Sequence, residues 1–311
     1  MKTVFVTGGN GFLGKHVMKR LLDSGYDAFS YRSSNCDLRK REDINAALDV
    51  VKPDTIIHLA AVCGGIGANQ KSPARFFYDN LKMGLELIDA ANAFGVEKFV
   101  QVGTVCAYPK FTPVPFKEED LWNGYPEETN APYGIAKKAL LVQCQAYRQQ
   151  YGMNAIYLIP VNLYGPGDNF NPNTSHVIPA LIKKCIEAKN TNAPHIEVWG
   201  TGSAYREFLY VEDCADAIVA ASERYNGADP INIGTGEELS IASLVDSVKK
   251  ATGYEGNTAW LSDKPDGQPR RCLDTSKAMD AFGFKAKTSL SEGLRKTVDW
   301  YVETLNINKQ L

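Results

Sequence analysis

A chain of 311 residues, 44% hydrophobic and 23% charged, can bury a substantial core, which excludes disorder, and its length points to two compact units or to one large one with an appended lobe. The formal net charge of −2 excludes a global basic field for nucleic acid or anionic lipid, so any anion binding must be local. Seven cysteines, at 36, 63, 106, 144, 185, 214 and 272, include no Cys-x-x-Cys pair and no histidine partner at zinc spacing; they fit free thiols, no metal and a reducing cytoplasm.

Met1-Lys2-Thr3 runs straight into an apolar strand with no signal-peptide region, and no apolar run approaches the ~20 residues of a membrane span. A cytosolic protein without a membrane partner is expected. Thr3 to Thr7 is a short, β-branched, nearly all-apolar run, as in a central parallel strand covered on both faces. It ends in Gly8-Gly9-Asn10-Gly11-Phe12-Leu13-Gly14, after which Val17, Leu21 and Leu22 recur at helical spacing up to Gly25, a C-cap. Glycine in such a turn lets backbone approach a pyrophosphate and lets the helix pack closely on the strand, while helix amides bind the phosphates. The rival parse, a P-loop from Gly9 to Lys15, lacks its hydroxyl because His16 stands where Ser or Thr would hold magnesium.

The second strand is predicted over Asp27 to Tyr31. Arg32 follows it, where an acidic residue would bond a ribose hydroxyl and an arginine suits a 2′-phosphate, so NADPH is expected over NAD. Asp37 reads as an adenine cap or, more plainly, as a helix N-cap. Further strands are predicted at Thr55 to Leu59, Lys98 to Val102 and Ala155 to Leu158, with helices near 41–50, 75–95 and 133–151. This alternation predicts an α/β fold, a Rossmann-type doubly wound parallel sheet, with a smaller α/β substrate-binding lobe after the turn-rich Gly165 to Asn173. The expected division is 1–168 plus about 206–234 for the dinucleotide domain, and 169–205 plus about 235–311 for the lobe.

Tyr133 and Lys137 stand four residues apart, on one face of a predicted helix. A free phenol titrates near ~10, and a neighbouring ammonium lowers it toward the range of proton exchange. Such a pair alone is commonly a surface accident; roughly 120 residues beyond a glycine turn it becomes specific.

Together with Gly8-x-x-Gly11-x-x-Gly14 and His58-Leu59-Ala60-Ala61, that pair resembles the extended short-chain dehydrogenase/reductase family. Longer strings narrow the match: Cys63 to Asn69, Cys106 to Lys110, Asn162 to Phe170, Ser175 to Leu181, Trp199 to Gly202 and Arg206 to Phe208 resemble the GDP-L-fucose synthase family over nearly the whole chain. The resemblance implies NADPH-dependent 3,5-epimerisation and 4-reduction of GDP-4-keto-6-deoxy-D-mannose by a homodimer paired through the Tyr/Lys helix and its predecessor. It implies Asn10, Phe12, Leu13, Leu38, Leu59, Ala60, Ala61, Val161, Lys137 and His176 as further cofactor contacts. Cys106 and His176 match the family's base and acid, although by type alone one is an apolar filler and the other a loop histidine. Thr104 stands where the family usually has serine; its hydroxyl remains, but its methyl crowds the pocket. Arg206 and Arg270 match phosphate ligands, Lys184 stands where the family often has arginine, and Arg271 matches less well; Trp199 and Asn162 match base and sugar contacts, with packing of the lobe as the plainer role for Trp199. The alternatives are a 4-reductase or a C3/C5 epimerase only, acting on a related GDP-linked ketosugar, 6-deoxyhexose or heptose, and a non-catalytic dinucleotide-sensing relative.

Overall fold

The computed structural model of the chain describes residues 2–310; Met1 and Leu311, the outer bounds of the two expected units, lie outside the described residues. The first half alternates strands and helices: β1 (Thr3–Thr7), α1 (Phe12–Asp23), β2 (Asp27–Phe29), α2 (Arg41–Val51), β3 (Thr55–His58), α3 (Ile66–Lys71), α4 (Pro73–Ala93), β4 (Lys98–Val102), α5 (Ala131–Tyr151) and β5 (Ala155–Pro160). There follow β6 (Asn162–Tyr164), α6 (Val177–Thr191), β7 (His195–Trp199), β8 (Tyr205–Tyr210), α7 (Val211–Arg224), β9 (Ile231–Ile233), β10 (Glu238–Ser240), α8 (Ile241–Thr252), β11 (Asn257–Leu261), α9 (Ser276–Phe282) and α10 (Leu290–Gln310).

Six strands form one wholly parallel sheet in the order β2-β1-β3-β4-β5-β9. Every residue of β3, β4 and β5 is buried, as in central parallel strands covered on both faces. Successive side chains serve opposite faces. Val4, Val6 and Ile57 pack with Val17 and Leu21 of α1 and Cys214 and Ile218 of α7, whereas Phe5 and Ile56 pack with Ile44, Leu87 and Leu140 of α2, α4 and α5. Helices on both faces make the sheet doubly wound.

The predicted second strand stops two residues early, at Phe29, because Ser30 turns its hydroxyl under the glycine turn to accept the Gly9 N–H at 3.1 Å. A second layer holds the three-stranded sheet β10-β8-β6 and the parallel pair β11-β7, with Ile182, Cys185, Leu244, Val248 and Leu294 in a separate core. Leu273, Ala278 and Phe282, late in the chain, return to the core of the large sheet.

One row across the large sheet is polar. Thr7, His58, Gln101 and Tyr157 are register partners on four adjacent strands, and all are buried at 0–2% exposure. The Thr7 hydroxyl and His58 Nδ1 are 2.7 Å apart, Gln101 Nε2 donates to the Val102 carbonyl at 2.9 Å, and the Tyr157 hydroxyl donates to the Lys137 carbonyl at 2.8 Å. This row lies under the Tyr/Lys helix.

Candidate active site

A cleft of about 1360 Å³ follows the carboxyl ends of β1, β3, β4 and β5, crosses the point between β1 and β3 where strand order reverses, and continues against α6, β7 and β8. Sites for one small ligand commonly run ~300–1000 Å³, so this cleft accommodates two.

At one end the glycine turn sets the wall. Gly8 has φ +73°, and a Cβ on Gly14 would lie 2.0 Å from the Gly8 carbonyl, so α1 can start against β1 only with glycine there. Gly11 is the N-cap of α1 and no side chain caps its first amides, which leaves them for an anion. Asn10, Phe12, Leu13, Leu38, Leu59, Ala60, Ala61 and Val161 line the same stretch. Arg32 is exposed to it and, among the described residues, makes no ion pair. These features fit a pyrophosphate followed by a further phosphate on a ribose.

Asp37 also lines the cleft, but it is not a helix cap: Lys40 is the N-cap of α2. Instead Arg39 grips Asp37 with Nε on Oδ1 at 2.9 Å and Nη2 on Oδ2 at 2.8 Å, which holds the carboxyl down at about 2 against the opposing effect of burial. Arg39 and its second partner Asp79 both line the cleft, and neither carried a motif in the sequence.

Tyr133 and Lys137 project from α5 into the middle of the cleft. Gly134 makes their position possible, since a Cβ there would lie 2.3 Å from the Cys106 carbonyl; α5 thus abuts the turn that carries Cys106. Lys137 is buried and donates from Nζ to the Val102 carbonyl at 3.1 Å. Burial pushes its ammonium down to about 8. The expected fall in the phenol is reversed. Burial raises Tyr133 well above 10, the Cys63 and Cys106 thiols add to the rise, and only the bonded Thr104 hydroxyl opposes it. Lys137 does not offset this because its charge is turned to Val102. The phenol therefore carries its proton at neutral pH, the state a proton donor needs.

Thr104 caps the 3₁₀ turn Val105–Ala107 by accepting the Cys106 N–H at 3.2 Å. Cys106 is half-buried, and His176, at the N-cap of α6, opens onto the same space. The His176 imidazole is held below its ordinary 6.5 by burial first and by the Arg271 charge second.

The far wall is cationic. Lys184 and Arg206 line it; Lys184 donates to the Glu197 carbonyl at 2.7 Å, and Arg206 to the carbonyls of Tyr205 and Asp266 at 2.7 and 2.9 Å. Burial and then the neighbouring Arg271 charge push the Arg206 guanidinium down to about 9. Trp199 and Asn162 also line this wall.

Arg270 does not. It is exposed and bonded to Glu238, while Arg271 enters the cleft instead. The segment pairs with β8 through Tyr205 N–H to Pro269 O and Glu207 N–H to Arg271 O, so successive side chains take opposite faces and only one of the two arginines can look inward.

The chain is similar to known proteins. The NAD dependent epimerase/dehydratase family pattern matches residues 4–234. A probable GDP-L-fucose synthase 1 from Oryza sativa subsp. japonica is 43% identical over 304 residues, spanning 97% of this chain and 92% of its own. A GDP-6-OMe-4-keto-L-xylo-heptose reductase from C. jejuni superposes with a TM-score of 0.91 at 27% identity, over 97% of this chain and 98% of that one. A GDP-L-fucose synthetase from Naegleria fowleri bound to NADP gives 0.89 at 28% identity, over 98% and 95%.

Proposed function

The chain belongs to the NAD dependent epimerase/dehydratase family and, within it, to the GDP-L-fucose synthases, and from that premise we propose that it converts GDP-4-keto-6-deoxy-D-mannose to GDP-L-fucose with NADPH. The observation that supports this reading is that Tyr133, Lys137, Thr104, Cys106 and His176 line one cleft together with the glycine turn of α1 and the cations Lys184 and Arg206.

In this reading Gly8, Gly11, Gly14 and the first amides of α1 hold the cofactor pyrophosphate, and Arg32 takes the 2′-phosphate that distinguishes NADPH from NADH. The sugar nucleotide lies across the other wall, its pyrophosphate against Arg206 and Lys184 and its base near Trp199. The keto group at C4 makes the protons on C3 and C5 acidic. Cys106 removes a proton from one face, the C–H electron pair moves into an enolate, and His176 returns a proton from the other face. Thr104 and Tyr133 hold the C4 oxygen throughout. Bound NADPH supplies the hydride for C4, and Tyr133 gives its proton to the resulting alkoxide.

The likeness to a heptose reductase favours one second reading, 4-reduction of a related GDP-linked ketosugar without epimerisation. Incubation with each ketosugar and NADPH in deuterated water separates the two. Deuterium at C3 and C5 accompanying NADPH consumption is expected; consumption without deuterium would replace the first reading by the second.

A homodimer is part of the same proposal. Phe77, Tyr78 and Leu85 of α4 and Val142 of α5 are exposed on the helix pair that a two-fold four-helix bundle would bury. Sedimentation at micromolar concentration tests it, and a monomer there would refute it. Seven thiols without a disulfide support a cytoplasmic location, and among the described residues no helix is long and apolar enough to cross a membrane.

A further inference from the structure

Two side-chain donors converge on one backbone acceptor beneath the Tyr/Lys helix. Lys137 Nζ reaches the Val102 carbonyl at 3.1 Å, and Gln101 Nε2 reaches the same oxygen at 2.9 Å. Lys137 is buried and, among the described residues, makes no ion pair, so this carbonyl is what holds its ammonium. His58, in the adjoining polar row, is kept neutral by burial first and by the Lys137 charge second, and it supplies no counter-charge. Gln101 is fully buried, and its other amide atom, Oε1, has no hydrogen-bond partner among the described residues. A leucine or methionine would fill this strand position without leaving a buried acceptor unpaired, so stability alone does not select a glutamine there. Turning the amide over would set Oε1 against the Val102 oxygen, so Nε2 is the atom that must face it.

We propose that Gln101 is a positioning residue that frees Lys137 for the cofactor: it keeps the Val102 carbonyl bonded when the ammonium turns away toward a hydroxyl oxygen of the bound dinucleotide. The proposal rests on the reading of Lys137 as a cofactor contact and adds the residue that removes the penalty of its release. Without Gln101, that release would orphan a buried carbonyl, and the penalty would be subtracted from the binding of NADPH. With Gln101 in place one donor remains at 2.9 Å, and the exchange leaves the carbonyl paired. Tyr157, the register partner of Gln101, secures the other side of the lysine. Its hydroxyl donates to the Lys137 carbonyl at 2.8 Å, so the main chain of α5 keeps its place while the Lys137 side chain swings.

A double-mutant cycle on NADPH affinity, read by fluorescence titration of the purified protein, tests this. Gln101→Met should weaken NADPH binding about tenfold, the loss expected when a buried acceptor is left unpaired in the bound state alone. In the Lys137→Met background the carbonyl lacks the ammonium with or without cofactor, so the same substitution should change affinity less than about twofold. Urea unfolding of the ligand-free protein reads the mirror image. Gln101→Met should lower the unfolding midpoint in the Lys137→Met background, where it orphans the carbonyl, and not in the wild type, where Lys137 still holds it. Gln101→Leu replaces the methionine variant if that one fails to fold. Equal weakening of NADPH in both backgrounds would make Gln101 a packing residue and overturn the proposal, as would unchanged affinity in Gln101→Met alone. Lys137→Met with wild-type NADPH affinity would instead overturn the reading of Lys137 as a cofactor contact, and the proposal with it, so the two failures are told apart.

Discussion

Replacing Lys137 by methionine separates catalysis from stability in a way the structure makes quantitative. The ammonium is enclosed, and desolvation moves it from 10.5 down to about 8. A displacement of that size corresponds to ~3 kcal/mol between the folded and unfolded environments of the charge. The folded group titrates below the unfolded one, so burying the charge destabilises the fold fully below pH 8. The penalty fades between pH 8 and 10.5 and is absent above. Methionine has similar length and flexibility and carries no charge. The Val102 carbonyl, deprived of Lys137, keeps Gln101 Nε2 at 2.9 Å, so no buried acceptor is orphaned. Urea unfolding of the ligand-free protein should therefore show Lys137→Met more stable by ~3 kcal/mol at pH 7, with the gap closing as pH approaches 10. Reduction at C4 should drop by about 10²-fold or more in the same variant. A variant less stable than wild type at pH 7, or a gap that does not narrow above pH 8, would refute the reasoning.

Four other substitutions probe separate parts of the cleft. Arg32→Ala should weaken NADPH binding by about 10–100-fold, the worth of a charged hydrogen bond, while leaving NADH binding within about twofold; fluorescence titration with each cofactor reads this. Tyr133→Phe should abolish NADPH oxidation while the cofactor still binds, and near-normal oxidation would remove Tyr133 from its assigned role. Cys106→Ser should suppress deuterium incorporation at C3 and C5 more than hydride transfer to C4, and equal losses in both would argue against the division of labour. Gly134→Ala drives a Cβ to 2.3 Å from the Cys106 carbonyl, so it should lower both partial activities together and cost roughly 1–3 kcal/mol of stability by thermal or urea unfolding.

The parts of this molecule most open to sequence reading were those governed by local chemistry. β1, the glycine turn and α1 follow from a short apolar run, glycines that alone permit the close approach at Gly14, and helical periodicity. Arg32 lies on the cleft wall, three residues beyond the end of β2. What depends on long-range pairing was not readable. Whether Arg270 or Arg271 faces the cleft is decided by register against β8, and a one-residue slip reverses the answer. The fall predicted for the Tyr133 phenol failed because the spacing of Tyr and Lys says nothing of where the ammonium points, and Val102 holds it. The buried polar row Thr7-His58-Gln101-Tyr157 has no sequence signature, since its members are neighbours only through the parallel register of four strands.

The position of Arg271 bears on a requirement that any two-base epimerisation must meet: one partner deprotonated and the other protonated at the same moment. Burial first and the Arg271 charge second both lower the His176 imidazole from its ordinary 6.5 and so favour its neutral form. It follows that Arg271→Gln should raise the His176 titration midpoint in the Cys106→Ala background, where no thiolate can form, and a ¹³C-histidine NMR titration showing no rise there would break the link between the two residues.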